Sequence, residues 1–201
     1  MANSIKVAII GVGNCASSLV QGIEMYKDIG PDDDLPGIMH PIMGEYGIGD
    51  IDVVAAFDVN DSKVGLDLSE AIFAEPNNTI KFVDVPRADV VVQRGMTHDG
   101  VGKYTTDLIP KAPGGTADIA ETLRERDVDV VINYLPVGSE EATRWYAEQV
   151  LAAKVGFINC IPVFLASGEN DYWQKRFRDA GAPIIGDDIK SQVGATIVHR
   201  T

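Results

Sequence analysis

Gly11, Gly13 and Ala16 stand at the spacing of G-x-G-x-x-A, directly after the apolar run Ile5–Ile10 and at the opening of a helix-period pattern. In that setting each has a task. Gly11 can turn the chain, Gly13 lets backbone come close to a pyrophosphate, and Ala16 lets the helix approach its strand. The chemistry on offer is anion binding, because the first turn of a helix leaves N–H groups unpaired and carries the positive end of its dipole. Close helix–strand packing alone would also select small residues here. A second candidate is Asp58, which ends the apolar run IDVVAAF. An acid at the tip of the second strand of a dinucleotide fold hydrogen-bonds the adenosine ribose hydroxyls and repels the extra phosphate of NADP. Its separation from the glycines exceeds the usual ~20 residues, and the stretch between them accounts for that. A capping or turn acid is the plainer alternative.

Other residues of the right types have weaker claims. Asp32, Asp33 and Asp34 could hold a metal, but a metal needs converging ligands from elsewhere and a solvated turn explains them as well. His40 is weak for the same reason. His98, Asp99 and Lys103 lie in a glycine-rich stretch and taken alone read as surface residues. Cys15 and Cys160 have no metal-ligand spacing and read as reduced and structural. Tyr146 could face either core or cofactor, and core is the commoner fate.

The elements that must position these groups alternate between strand and helix. A strand at 5–10 leads into a helix over 15–26, and a second buried strand covers 51–57. Ser62 then caps a helix running to Phe73, with Asp67 on its exposed side. Strands follow at 88–93, 128–134, 156–160 and 183–186, with helices over 116–126, after Ser139, and around 171–180. Two long irregular stretches, 27–50 and 94–115, leave the same side of the sheet. The pattern predicts an α/β fold: a Rossmann-like, doubly wound and mostly parallel sheet with helices on both faces. The start of the helix after Ser139 lies at the carboxyl edge, where open α/β sheets place ligands.

With 201 residues the chain is slightly longer than one ordinary domain. The 45% hydrophobic and 23% charged shares are those of a soluble globular protein, and no apolar run is long enough to span a bilayer. The start lacks the features of a secretory leader, so a cytoplasmic protein is expected. A net charge of -13 argues against nucleic acid or an anionic membrane as a partner. Any phosphate must be held by local donors against that field.

The motif series GVGNCASSLVQG, LPGIMH, AAFDVN, NNTIK, QRG, DGVGKY, NYLPVGSEEA and GDDIKSQVGAT resembles the inositol phosphate synthases, closest to their actinobacterial branch, over essentially the whole chain. The resemblance implies an enzyme of inositol and phospholipid biosynthesis that turns glucose 6-phosphate into inositol phosphate with tightly held NAD. In that reaction a hydroxyl is oxidised, the acidified neighbouring carbon attacks the aldehyde, and the ketone is reduced again. It implies that Gly11, Gly13 and Asn14 hold the pyrophosphate, that Asp58 and Asp67 lie on the adenosine side, and that Tyr146 and Ser191 lie around NAD. Asp187 and Asp188 would face the nicotinamide or a mono- or divalent cation, and Lys190 would be a lysine of the active centre, stabilising oxyanions or moving protons. In the family the chain continues about as far again, through a catalytic domain that builds a homotetramer. Residues 1–201 would then be an NAD-binding domain whose last residues, 187–201, begin the link to that second domain. Alone, the chain would lack most of the substrate pocket. Two alternatives stand beside this reading: a non-catalytic NAD-binding module, suggested by the missing second half, and a simple dehydrogenase, which the glycine motif alone would permit.

Overall fold

The structure is a computed structural model that describes residues 4–31, 33, 38, 40–101, 109–168 and 170–188. β1 (Ile5–Ile10) feeds α1 (Asn14–Tyr26), and a two-residue hairpin, β2 (Ile42–Met43) with β3 (Tyr46–Gly47), precedes β4 (Ile51–Asp58). Then come α2 (Leu68–Ala71), β5 (Val92–Arg94), α3 (Ile119–Glu125), β6 (Val130–Asn133), α4 (Glu140–Ala153), β7 (Gly156–Asn159), α5 (Tyr172–Ala180) and β8 (Ile184–Ile185). Six of the strands form one sheet in the order β5-β4-β1-β6-β7-β8, every neighbouring pair parallel. Counting sheet strands alone, this is the 3-2-1-4-5-6 order of a doubly wound dinucleotide fold.

β1 lies at the centre because both its faces are apolar. Val7 and Ile9 pack with Val12, Ala16, Val20, Leu68 and Ile72 on one side of the sheet. Ala8 and Ile10 join Phe57, Leu123, Tyr146, Phe157 and Phe177 on the other. Helices therefore cover both faces, as a parallel sheet requires. Ala16 is fully buried, which explains a small residue at that point of the helix.

Two expectations need correction. The helix expected from Ser62 to Phe73 is reduced to the four residues of α2, with Asp67 rather than Ser62 as its cap. The backbone of 65–68 bonds instead to the outer edge of 90–92: Gly65 N–H to Val92 O, Val92 N–H to Leu66 O, and Leu68 N–H to Val90 O. Those pairings satisfy groups that a longer helix would have satisfied internally, and they turn Asp67 inward, where it is 4% exposed. The irregular stretch 27–50 also contains the β2–β3 hairpin. Asp33 accepts from Gly30 N–H at 2.8 Å, a local turn contact, while Asp32 and Asp34 lie outside the described residues.

Candidate functional site

β1 and β6 are adjacent, and the chain leaves them in opposite directions along the sheet, which opens a crevice at their carboxyl ends. A cleft of about 540 Å³ occupies that crevice, within the size range of small-molecule sites. Its walls are the glycine turn, the tip of β4, residues 96–101 and the start of α4.

The two glycines of the turn are glycines for different reasons. Gly11 has φ +88°, and a Cβ there would stand 2.8 Å from Tyr134 O, so both backbone and space demand it. Gly13 has φ -103°, which any residue adopts, and a Cβ would meet nothing within 4 Å. No internal constraint requires glycine at 13; a side chain there would project into the space at the start of α1. That helix has no side-chain cap and no acid in its first turn, so its leading N–H groups remain on offer. Asn14 also lines the cleft, its side-chain oxygen accepting from Asn78 N–H at 3.0 Å.

Asp58 braces this turn. Its Oδ2 accepts from Val12 N–H at 2.7 Å, and its Oδ1 accepts from Val59 and Asn60 N–H at 2.7 and 2.8 Å. Beside it stands Lys63, 3% exposed, whose Nζ donates to Val12 O at 2.5 Å. Burial pushes the Lys63 ammonium below its ordinary pKa, against the opposing pull of the Asp58 and Glu75 charges. Lys63 lines the cleft, a placement that sequence reasoning missed.

Residues 95–101 cross from the tip of β4 to α4. Gly95 N–H donates to Asp58 O at 2.7 Å, and a Cβ at Gly95 would strike the Tyr146 hydroxyl. Farther on, the Asp99 carboxylate accepts from Glu141 and Ala142 N–H at 2.7 and 3.1 Å, capping α4 from 42 residues away. Burial raises the Asp99 carboxyl, but those backbone donors outweigh it and hold it below the usual carboxylate pKa. Asp99 is thus no free surface acid. Ser139, expected to cap α4, bonds Pro136 O through its hydroxyl instead.

At the far wall Tyr146 is 1% exposed and its hydroxyl accepts from Met96 N–H at 3.1 Å, so it serves core and cleft together. Burial raises the Tyr134 phenol to about 12 and pushes the Cys160 thiol up, so both are neutral near pH 7. Asp188 lines this end as well. Its neighbour Asp187 does not: it is buried and accepts from Asn159 Nδ2, from the N–H groups of Leu165, Ala166 and Ser167, and from the Ser167 hydroxyl. That carboxylate organises the turn after β7.

Of the residues singled out from sequence, Gly11, Gly13, Asn14, Asp58, Tyr146 and Asp188 share the cleft, together with Cys15, Ser139, Cys160 and His98, the last of which taken alone reads as a surface residue. Asp67 stands apart: its Oδ1 bonds the N–H groups of Ser69 and Ala88 and the Ser69 hydroxyl, away from the cleft lining. Lys103, Lys190 and Ser191 lie outside the described residues. Among the described residues no three His, Cys, Asp or Glu side chains converge as a metal site, and no helix is long and apolar enough to cross a membrane.

No family model matches the chain. It is 56% identical over 199 residues to an inositol-3-phosphate synthase of Mycolicibacterium smegmatis, covering 99% of this chain and 54% of that protein. The identity is 55% over 196 residues with the Mycobacterium tuberculosis enzyme of the same name, and 50% over 198 residues with that of Corynebacterium glutamicum. The chain spans about half the length of the curated relatives it matches. Among solved structures, Ari2 superposes with a TM-score of 0.79 at 36% identity, over 98% of this chain and 58% of that one. A myo-inositol-1-phosphate synthase-related protein from Thermotoga maritima shares the fold, with a TM-score of 0.61 at 21% identity, over 92% of this chain and 55% of that one.

Proposed function

We propose that the chain, 55–56% identical over nearly all of its length to about half of two inositol-3-phosphate synthases, is the dinucleotide-binding part of an NAD-dependent synthase that isomerises glucose 6-phosphate to inositol phosphate. The observation that carries this reading is the start of α1: an uncapped helix end, free of acids, beside a Gly13 that the fold itself does not require. The donor set fits a dinucleotide. N–H groups suit a pyrophosphate, and Asp58, with three of its roughly four lone-pair sites filled by backbone N–H groups, keeps one acceptor for a ribose hydroxyl.

Bound there, NAD would supply a hydride acceptor that returns its hydride to the same substrate. This chain's own residues do the holding. The α1 N-terminus binds the pyrophosphate, Asp58 orients the ribose, and Tyr146 fixes 96–101 against the cleft. Tyr134 and Cys160, both neutral near pH 7, contribute uncharged groups to the wall on the β6 and β7 side. Proton transfer and oxyanion stabilisation are the roles that the family resemblance gives to Lys190 and Asp188. The remaining substrate contacts and the homotetramer would belong to the rest of a full-length synthase.

Titration of the 201-residue chain with NAD, together with assays for inositol phosphate and NADH in the presence of glucose 6-phosphate, tests this. The expected result is saturable NAD binding with no net NADH, and inositol phosphate only from protein of the relatives' full length. A folded chain that ignores NAD would overturn the proposal. Steady NADH accumulation would replace it with a simple dehydrogenase.

A further inference from the structure

Lys63 is a buried cation whose hydrogen-bonding capacity is largely unspent. An ammonium carries three donors, and among the described residues its one hydrogen-bond acceptor is Val12 O, with no carboxylate in ion-pair contact. A buried charge left with idle donors is costly unless something pairs with it. Lys63 nevertheless lines the cleft, so its idle donors are beside the space a ligand would fill. Its position relative to Asp58 is fixed by a shared partner. Asp58 takes the N–H of Val12 and Lys63 takes the C=O of the same residue, so an acceptor and a donor flank one residue of the glycine turn.

A vicinal diol matches such a pair, since each hydroxyl can donate and accept at once. On the dinucleotide reading above, the diol at this edge of the cleft is that of the adenosine ribose. We infer that Lys63 is a cofactor-gripping and specificity-determining residue: it donates to the adenosine ribose oxygens while Asp58 accepts from them, and its cation makes the site a latent receptor for the 2′-phosphate that Asp58 keeps out. Sequence spacing pointed to Asp58 alone, an acid that rejects NADP. The structure adds a cation beside it, so rejection depends on a balance of two charges.

The test compares dissociation constants for NAD, NADP and adenosine in the wild-type chain, Lys63→Met, Asp58→Asn and the double variant. Lys63→Met should weaken NAD and adenosine alike, by about tenfold, the scale of one charge-assisted hydrogen bond. Asp58→Asn, which keeps an acceptor oxygen for Val12 N–H, should gain NADP binding by about tenfold, and adding Lys63→Met should abolish the gain. NAD and adenosine affinities within twofold of wild type in a Lys63→Met protein of lowered melting temperature would reduce Lys63 to a brace for Val12, overturning the inference while leaving the dinucleotide reading intact. Loss for NAD but not adenosine would move its donors to the pyrophosphate and overturn the ribose assignment. Should Lys63→Met fail to fold, Asp58→Asn decides alone: a gain in NADP supports the inference, and no gain overturns it. A folded wild-type chain that binds none of the three ligands refutes both readings.

Discussion

Two helices start at the same cleft, and their first turns are built oppositely. α1 follows β1 with glycine at its cap, no side chain bonded to its leading N–H groups and no acid in its first turn. α4 follows the neighbouring strand β6 with Glu140 and Glu141 in its first turn, and with the Asp99 carboxylate bonded to two of its N–H groups. Both ends carry the same positive partial charge. One is left without a side-chain partner and the other is met by the chain's own carboxylates. In a protein with a formal charge of -13, the contrast favours the α1 side of the crevice, rather than the α4 side, for the proposed pyrophosphate.

That contrast can be broken in several places. Gly11→Val should have the largest effect, because a β-branched residue at φ +88°, with its Cβ 2.8 Å from Tyr134 O, would spoil the turn that aims α1 at the cleft. A loss of about 3 kcal/mol or more is expected in denaturant unfolding. Asp99→Ala should cost about 1–2 kcal/mol by removing the α4 cap. It should also free two N–H groups at the start of α4, so that inorganic phosphate raises the variant's melting temperature more than the wild type's.

Acid reproduces this second effect. The folded-state pKa of Asp99 lies below its ordinary value, so its contribution is fully present above that ordinary value, near 3.8. It fades as pH falls from there through the lower folded value. The stability gap between wild type and Asp99→Ala should therefore be constant at neutral pH and close below about pH 4. Cys15→Asp should have the smallest effect, giving α1 the acid that α4 already carries. It should stabilise the free chain by about 0.3–1 kcal/mol while weakening NAD by about fivefold. Those opposite signs are readable by melting and titration on one sample.

The sequence conveyed the sheet and the open end of the cleft because both rest on local pattern. β1 and β4 are apolar runs, Gly11 sits at a turn, and Asp58 is at a strand tip. What it missed depends on partners far along the chain. Lys63 stands in no motif, and only folding brings Val12, 51 residues away, within its reach. Asp99 reads as a loop acid until α4 begins beneath it. Asp67 looks exposed on a helix-period pattern, but the edge at 90–92 competes for that backbone and turns the carboxylate inward. Asp187, paired in sequence with Asp188, is separated from it in role because its acceptors are consumed by backbone N–H groups of 165–167, which carry no side-chain signature. Only an unpaired donor or a long-range contact, visible in three dimensions, distinguishes these cases.

The central claim is that the space in front of α1 is kept empty for a pyrophosphate. Gly13→Val addresses it alone, since residue 13 has an ordinary φ and a Cβ there touches nothing. Calorimetric titration with NAD, with a thermal melt on the same protein, should show unchanged melting and an affinity lowered by about a hundredfold, near 2.7 kcal/mol. A Gly13→Val chain that melts like the wild type and still binds NAD with wild-type affinity would contradict it.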